Sequence, residues 1–403
     1  LLYYRDGAGS TVSVHRTPEE AVTNLVMKVN GKAEASTMGD MNTQLMVGHL
    51  PMLLHPEPSD VLLVGLGSGI TGGAVIVHPR LKRLDIVEIS PEVIGGAKVF
   101  SEHNQRVVDD PRVTITIDDA KSFLRVTDRT YQVIISEPSN PWMAGVAGVF
   151  SLEFYQDCRK RLAPGGLMVQ WVQLYEFSDT ALDTVLATFT SEFPHVSVWQ
   201  SHRADLMLVG SVEPRVDDLD RVVARLNEPA VMADLARADM ANVPLVLAHE
   251  IITPDLTRFV PPPEGRLHSD YFPTLEYLAQ RDFFARPRVT RYRQVDETFS
   301  VRADTLLARY LRQHRLTADD YQAFARYYLA DHQPFMDLFA TMLLRWEMEE
   351  PGRTEPWEMA SRFKFLSAPG ELEVGEEGQG GKTVLHSQMG GGDPATGRTP
   401  NDM

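Results

Sequence analysis

Val61-Leu62-Leu63-Val64-Gly65-Leu66-Gly67-Ser68-Gly69 is an apolar, strand-like run that passes directly into a Gly-x-Gly-x-Gly turn. Glycines at such a turn let the chain reverse sharply and let a ligand approach the backbone where a side chain would collide. Alone the pattern is weak. Three further runs strengthen it: Leu84–Val87 ends at Glu88, Val113–Ile117 precedes Asp119, and Val133–Ile135 precedes Glu137. Glu88 follows the turn at the spacing of roughly 20 residues at which a carboxylate reaches ribose hydroxyls. Taken singly, each acidic residue is equally well a solvated strand end; in register they are not. Four successive strands thus deliver ligand-type residues at their carboxyl ends, where open α/β sheets bind ligands. Position 70 is isoleucine, so the dinucleotide fingerprint counted from Gly65 fails, which favours an S-adenosyl type of nucleoside over NAD.

Outward from that stretch, the runs continue through Leu167–Val172, Val196–Trp199 and Leu206–Val209, alternating with helical segments. This predicts an α/β fold with a doubly wound, mostly parallel, seven-stranded sheet of the Rossmann-like methyltransferase type. Thr11–His15 and Asn24–Val29 read as strands of an N-terminal β-module, with lead-in to residue 50, ahead of a catalytic domain over 51–215. Ser178 signals a helix start, with Leu182, Val185 and Leu186 at helical spacing behind it. Residues 216–300 read as a mixed extension broken at Pro261-Pro262-Pro263, and 301–366 as a helical region. In that region Thr317-x-x-Asp320 precedes Tyr321, Phe324, Tyr327 and Tyr328, then Phe335, Leu338, Phe339, Met342 and Leu343, an aromatic stripe suited to a helix–helix core. Residues 367–403 turn to Gly, Glu, Pro and Thr, a composition that predicts disorder.

The 403 residues carry 43% hydrophobic and 23% charged side chains, enough to bury a proper core. A formal charge of −16 disfavours nucleic acid and anionic surfaces and favours cationic ligands. The single cysteine, Cys158, excludes a disulfide framework and a multi-cysteine zinc site and is expected to be a buried thiol. His49 and His268 lack companions at ligand spacing, so packing or capping roles are expected and no metal. No apolar run reaches 18 residues and Leu1–Arg5 lacks a signal-peptide layout, so a cytoplasmic location is expected, either alone or as the soluble part of a longer membrane-attached protein.

Five stretches together carry a resemblance. They are Gln44–Pro51, Gly65–Gly69, Val87-Glu88-Ile89-Ser90-Pro91-Glu92-Val93-Ile94, Asp118-Asp119-Ala120, and Ile135-Ser136-Glu137-Pro138-Ser139-Asn140-Pro141-Trp142. Over about residues 10 to 210 the chain resembles the spermidine synthases, the polyamine aminopropyltransferases, including bacterial spermidine synthase-like proteins whose enzymatic part follows a membrane portion. The resemblance implies that Gln44 and Glu88 contact the thioadenosyl ribose side, with Gly65, Gly67, Ser68 and Gly69 as the nucleoside loop, and Asp119 the adenine amino group. Glu137 would stand where the family places its proton-accepting aspartate, with Asn140 and, from Leu267-His268-Ser269-Asp270, Asp270 on the substrate side. Three departures stand out: Ser68 replaces an aspartate that grips the aminopropyl ammonium, Thr43 replaces a tyrosine, and Asn140 replaces the second aspartate of the catalytic turn.

The implied activity is aminopropyl transfer from decarboxylated S-adenosylmethionine to a di- or polyamine, with that co-substrate in place of any tightly bound cofactor. The expected partners are a small amine and a thioadenosyl nucleoside, with a homodimer compatible with the family. Two alternatives stay open at this point: an S-adenosylmethionine-dependent methyltransferase, and a catalytically idle sensor of nucleoside or polyamine.

Overall fold

A computed structural model describes residues 1–19, 22–202, 204–254, 267–289, 304–329, 336–354 and 356. The chain opens on an antiparallel meander of β1 (Tyr3–Asp6), β2 (Thr11–Glu19), β3 (Val22–Val29) and β4 (Lys32–Ser36). Period-two alternation sets its inner face: Val12 and Val14 are buried while Ser13 and His15, which alternate with them, are not. Four strands thus stand where two were foreseen.

The meander leads into α1 (Met41–Leu54), every residue of which is buried. Such a helix needs neighbours all round. It lies against α2 (Ile70–Ile76), α7 (Leu219–Leu226) and the central sheet. That sheet comprises β5 (Asp60–Val64), β6 (Arg83–Glu88), β7 (Val113–Ile117), β8 (Tyr131–Ser136), β9 (Leu162–Gln173), β10 (His195–His202) and β11 (Asp205–Ser211). All seven anticipated runs are strands, and β12 (Glu250–Ile252) adds an eighth at the edge by pairing with β10. The spatial order is β12-β10-β11-β9-β8-β5-β6-β7, parallel from β9 to β7 and antiparallel through β11, β10 and β12. Connections reverse direction at β5, which pairs with β6 on one side and β8 on the other, the switch point at which such sheets bind ligands.

The remaining helices are α3 (Pro91–Val99), α4 (Ala120–Val126), α5 (Leu152–Arg161), α6 (Asp179–Glu192), α8 (Pro229–Leu235), α9 (Val243–Leu247) and α10 (Thr274–Ala285). Ser178 caps α6 as anticipated, its hydroxyl accepting from the Ala181 amide at 3.2 Å. Cys158 is a buried free thiol on α5. Further helices run over Leu306–Gln313, Ala318–Leu329 and Met336–Glu349. Thr317 and Asp320 form a reciprocal cap: the Thr317 amide donates to the Asp320 carboxylate at 2.7 Å and the Asp320 amide to Oγ1 of Thr317 at 3.3 Å. Tyr321, Phe324 and Tyr327 behind it are buried.

Residues 1–339 pack as one compact unit and 340–403 as another. The expected boundary at 50/51 therefore falls inside α1, because the helix that begins in the lead-in lies on the catalytic sheet. The expected extension over 216–300 does not stand apart either, since β12 joins the same sheet and α7 lies on α1. The proline break at 261–263 and the tail at 367–403 lie outside the described residues.

Candidate active site

Gly65 and Gly69 have φ of +93° and +81°, the left-handed region, and a Cβ on Gly65 would meet the Glu137 carbonyl oxygen at 2.6 Å. The loop after β5 thus passes tightly over the loop after β8, and only glycine allows it. Gly67, at φ +52°, faces open space: a Cβ there would meet nothing within 4 Å. Asn104 fixes the loop from behind, its Nδ2 donating to the Ser68 carbonyl and to the Ala97 carbonyl at 2.8 Å each. Its place in an irregular turn gave no sequence signal.

Around this loop the side chains interlock. The Ser68 hydroxyl donates to Oε1 of Gln44 at 2.5 Å, and Nε2 of Gln44 donates to the Ser36 carbonyl at 3.0 Å. Glu88 is buried and accepts from the Leu66 amide at 2.9 Å and the Ser90 amide at 2.8 Å. Burial raises its carboxyl pKa while these amides act the other way. Gln44, Ser68 and Glu88 are therefore brought together with the glycine turn.

On the other side of the loop stands Glu137. Glu137 keeps part of its surface accessible, while protein packs densely around its carboxyl. Desolvation, followed by the fields of Asp205 and Asp40 and against a contact with Thr71, pushes this carboxyl up to about 8. Asp205 was not anticipated. It begins β11, is buried, and accepts from Oγ1 of Thr43 at 2.9 Å and Nε1 of Trp171 at 3.1 Å. Desolvation chiefly pushes it up to about 6. Directly opposite Asp205 in the β9–β11 ladder is Gln173, so the two side chains share one face of the sheet. Gln173 is fully buried, and neither its Oε1 nor its Nε2 has a hydrogen-bond partner among the described residues.

Asn140 is buried and donates through Nδ2 to the Tyr175 hydroxyl at 3.0 Å. Trp142 and Tyr175 meet edge to face at 5.9 Å and line a cavity of about 560 Å³ with Met143, Lys32 and Phe283. The N-terminal meander reaches this region: Lys32 sits 5.8 Å over the Trp142 ring, and Glu34, whose carboxyl pKa is raised by burial, interacts with Ser139. Neither residue carried a motif.

Asp119 is exposed and caps α4, accepting from the Ser122 amide at 2.9 Å. Asp270 comes to the same side, ion-paired with Lys121 of α4 and 3.9 Å from Arg125. His49 is buried between Nε2 of His78 at 2.9 Å and Asp234 at 3.0 Å, and His268 is buried against the Ala147 carbonyl at 2.8 Å, both in packing roles. Among the described residues no group of His, Cys, Asp or Glu is arranged to hold a metal. No helix among them is long and apolar enough to cross a membrane.

A glycine turn at the switch point, with a buried carboxylate at the end of β6 and a further carboxylate just after β8, belongs to an α/β domain with a Rossmann-like sheet of the methyltransferase type. Residues 41–201 match the spermine/spermidine synthase domain. Polyamine aminopropyltransferase 1 of Pseudomonas aeruginosa is 34% identical over 172 residues, covering 41% of this chain and 60% of that protein. Polyamine aminopropyltransferase of Escherichia fergusonii is 32% identical over 152 residues, covering 38% of this chain and 52% of that protein. The chain thus matches between about half and three fifths of the length of these relatives. Among solved structures, spermidine synthase from Thermotoga maritima aligns at a TM-score of 0.46 and 21% identity over 58% of this chain and 87% of that one. A probable spermidine synthase from Corynebacterium glutamicum aligns at 0.46 and 19% over 66% and 96%.

Proposed function

We propose that the chain transfers an aminopropyl group from decarboxylated S-adenosylmethionine to a di- or polyamine. The observation that carries this reading is the placement of Glu137 at the switch point, its backbone packed against the glycine turn and its carboxyl pushed up to about 8 by desolvation. The amine nitrogen attacks the propyl carbon beside the sulfonium; the N–C bond forms as the C–S bond breaks, sulfur keeps the electron pair, and methylthioadenosine leaves. The nitrogen must also lose a proton. An alkylammonium near about 10 gives its proton poorly to a carboxylate near about 4.3, and raising the acceptor toward 8 removes most of that mismatch. Gln44, Glu88 and the Gly65–Gly69 loop hold the nucleoside, and Asp119 reads the adenine.

Incubation with both S-adenosylmethionine and its decarboxylated form, across a panel of amines, tests the proposal. Methylthioadenosine is the expected product. Accumulation of S-adenosylhomocysteine instead would make the chain a methyltransferase, and binding without turnover of either donor would make it a sensor.

A further inference from the structure

We propose, on the reading of the chain as an aminopropyltransferase, that Asp205 and the Gln173 amide beside it hold the non-reacting ammonium of a diamine acceptor. Ser68 and Asn140 are neutral, which leaves Glu137 to supply the negative charge in the loops after β5 and β8, and a second anionic contact has to come from another element. The start of β11 supplies one. Each Asp205 oxygen accepts a single described hydrogen bond, from Thr43 or from Trp171, which leaves lone pairs for a ligand.

Gln173 is the independent pointer. A buried amide with neither end partnered among the described residues keeps two donors and an acceptor free for a ligand. It projects from the same face as Asp205, directly across the ladder. Its Oε1 can accept from an ammonium that the Asp205 carboxylate neutralises. The field of Asp205 also raises the Glu137 carboxyl, an effect that a cation at Asp205 would relieve. A diamine satisfies both: one nitrogen at Glu137 gives up its proton and attacks, while the other stays charged at Asp205.

A merely structural Asp205, tying α1 to the sheet through Thr43, would affect melting and leave amine selectivity alone. Calorimetry on the whole chain with 1,4-diaminobutane and n-butylamine, in parallel with turnover of both, separates the two. We expect the wild type to bind the diamine at least tenfold more tightly than the monoamine, and Asp205→Asn to erase that preference with methylthioadenosine affinity unchanged. Gln173→Leu, which breaks no described hydrogen bond, should keep the wild-type melting temperature and weaken diamine binding severalfold. It decides the matter if Asp205→Asn does not fold. A wild type without diamine preference, or a folded variant that retains it in full, overturns the proposal. Preference lost in the variants of a wild type that never forms methylthioadenosine keeps the amine site and sinks aminopropyl transfer. Aminopropyl transfer by variants with intact preference does the reverse.

Discussion

Because desolvation pushes the Glu137 carboxyl up to about 8, it carries a proton at pH 7 and must lose it before it can accept one from an amine. A cation bound beside it restores the carboxylate, so amine binding at pH 7 should release protons, measurable as a buffer-dependent heat. Turnover at low amine should rise with pH up to about 8 and again toward the amine's own pKa. Glu137→Gln should abolish the first limb and lower turnover by roughly a hundredfold or more while still binding methylthioadenosine, the usual scale for a lost general base. Near wild-type turnover in this variant would remove Glu137 from the chemistry. The glycines give a paired contrast. Gly67→Val projects into open space, so it should fold, at a left-handed backbone cost of about 1–2 kcal/mol, and lose the nucleoside. Gly65→Ala drives a Cβ into the Glu137 carbonyl and should damage the fold itself. Thermal melts with and without methylthioadenosine distinguish the two.

At the level of elements, α1 supplies Thr43 and Gln44 to the site, and its position depends on how it ends. Its last turn leaves carbonyl groups without helical partners, in a buried setting. Arg225, buried on α7, reaches across to them: Nη1 donates to the carbonyls of Met52 at 2.8 Å, Leu53 at 3.2 Å and His55 at 2.5 Å, and Nη2 to that of Pro56. Desolvation, with Arg80 and Arg221 nearby, lowers its pKa to about 10, which still leaves it charged at neutral pH. Arg225→Met keeps the apolar stem and removes the fork. We expect it to cost at least about 1–3 kcal/mol in denaturant unfolding, the penalty for a buried polar group left unsatisfied. Because α1 carries Gln44, the nucleoside should bind more weakly as well. A variant with wild-type stability would show that water takes over the capping.

Over the whole molecule, buried acids set the pH dependence of stability. Glu137 and Glu250 are pushed up to about 8 and Asp205 to about 6, in each case chiefly by desolvation. A carboxyl with a raised folded pKa binds more protons folded than unfolded, so its stabilisation is complete below its unfolded value and is lost as pH rises through the folded one. Asp234 runs the other way: desolvation opposes ionisation, but His49 and Arg237 more than offset it and bring the carboxyl down to about 2. Its contribution is present above about 3.9 and lost as pH falls through 2. Below about 6.5 His55, His78, His103 and His268, whose pKa values desolvation lowers, act in the opposite sense, so the unfolding free energy of the ligand-free protein should fall from about pH 7 to pH 8, and the double variant Glu137→Gln, Glu250→Gln should flatten that slope. A rise in wild-type stability over the same interval would contradict the burial of these groups.

By itself the sequence determined the parallel half of the sheet, the glycine turn, and Glu88 and Glu137 at strand ends. Those features are local: apolar runs bury themselves, a turn that needs left-handed backbone needs glycine, and the residue after a parallel strand lands at the sheet's carboxyl edge. Only the tertiary structure decided what surrounds them. Asp205 follows an antiparallel hairpin turn, Glu34 comes from the meander, and Asn104 and Arg225 act from a turn and a distant helix, so no spacing along the chain links any of them to Glu137 or α1. The sequence likewise showed neutral side chains at Ser68 and Asn140, while the pair that we propose holds the second ammonium, Asp205 opposite Gln173, became visible only once β9 and β11 paired. Contacts between residues far apart in sequence are fixed by how elements dock, which depends on the shape of the whole core rather than on any local pattern.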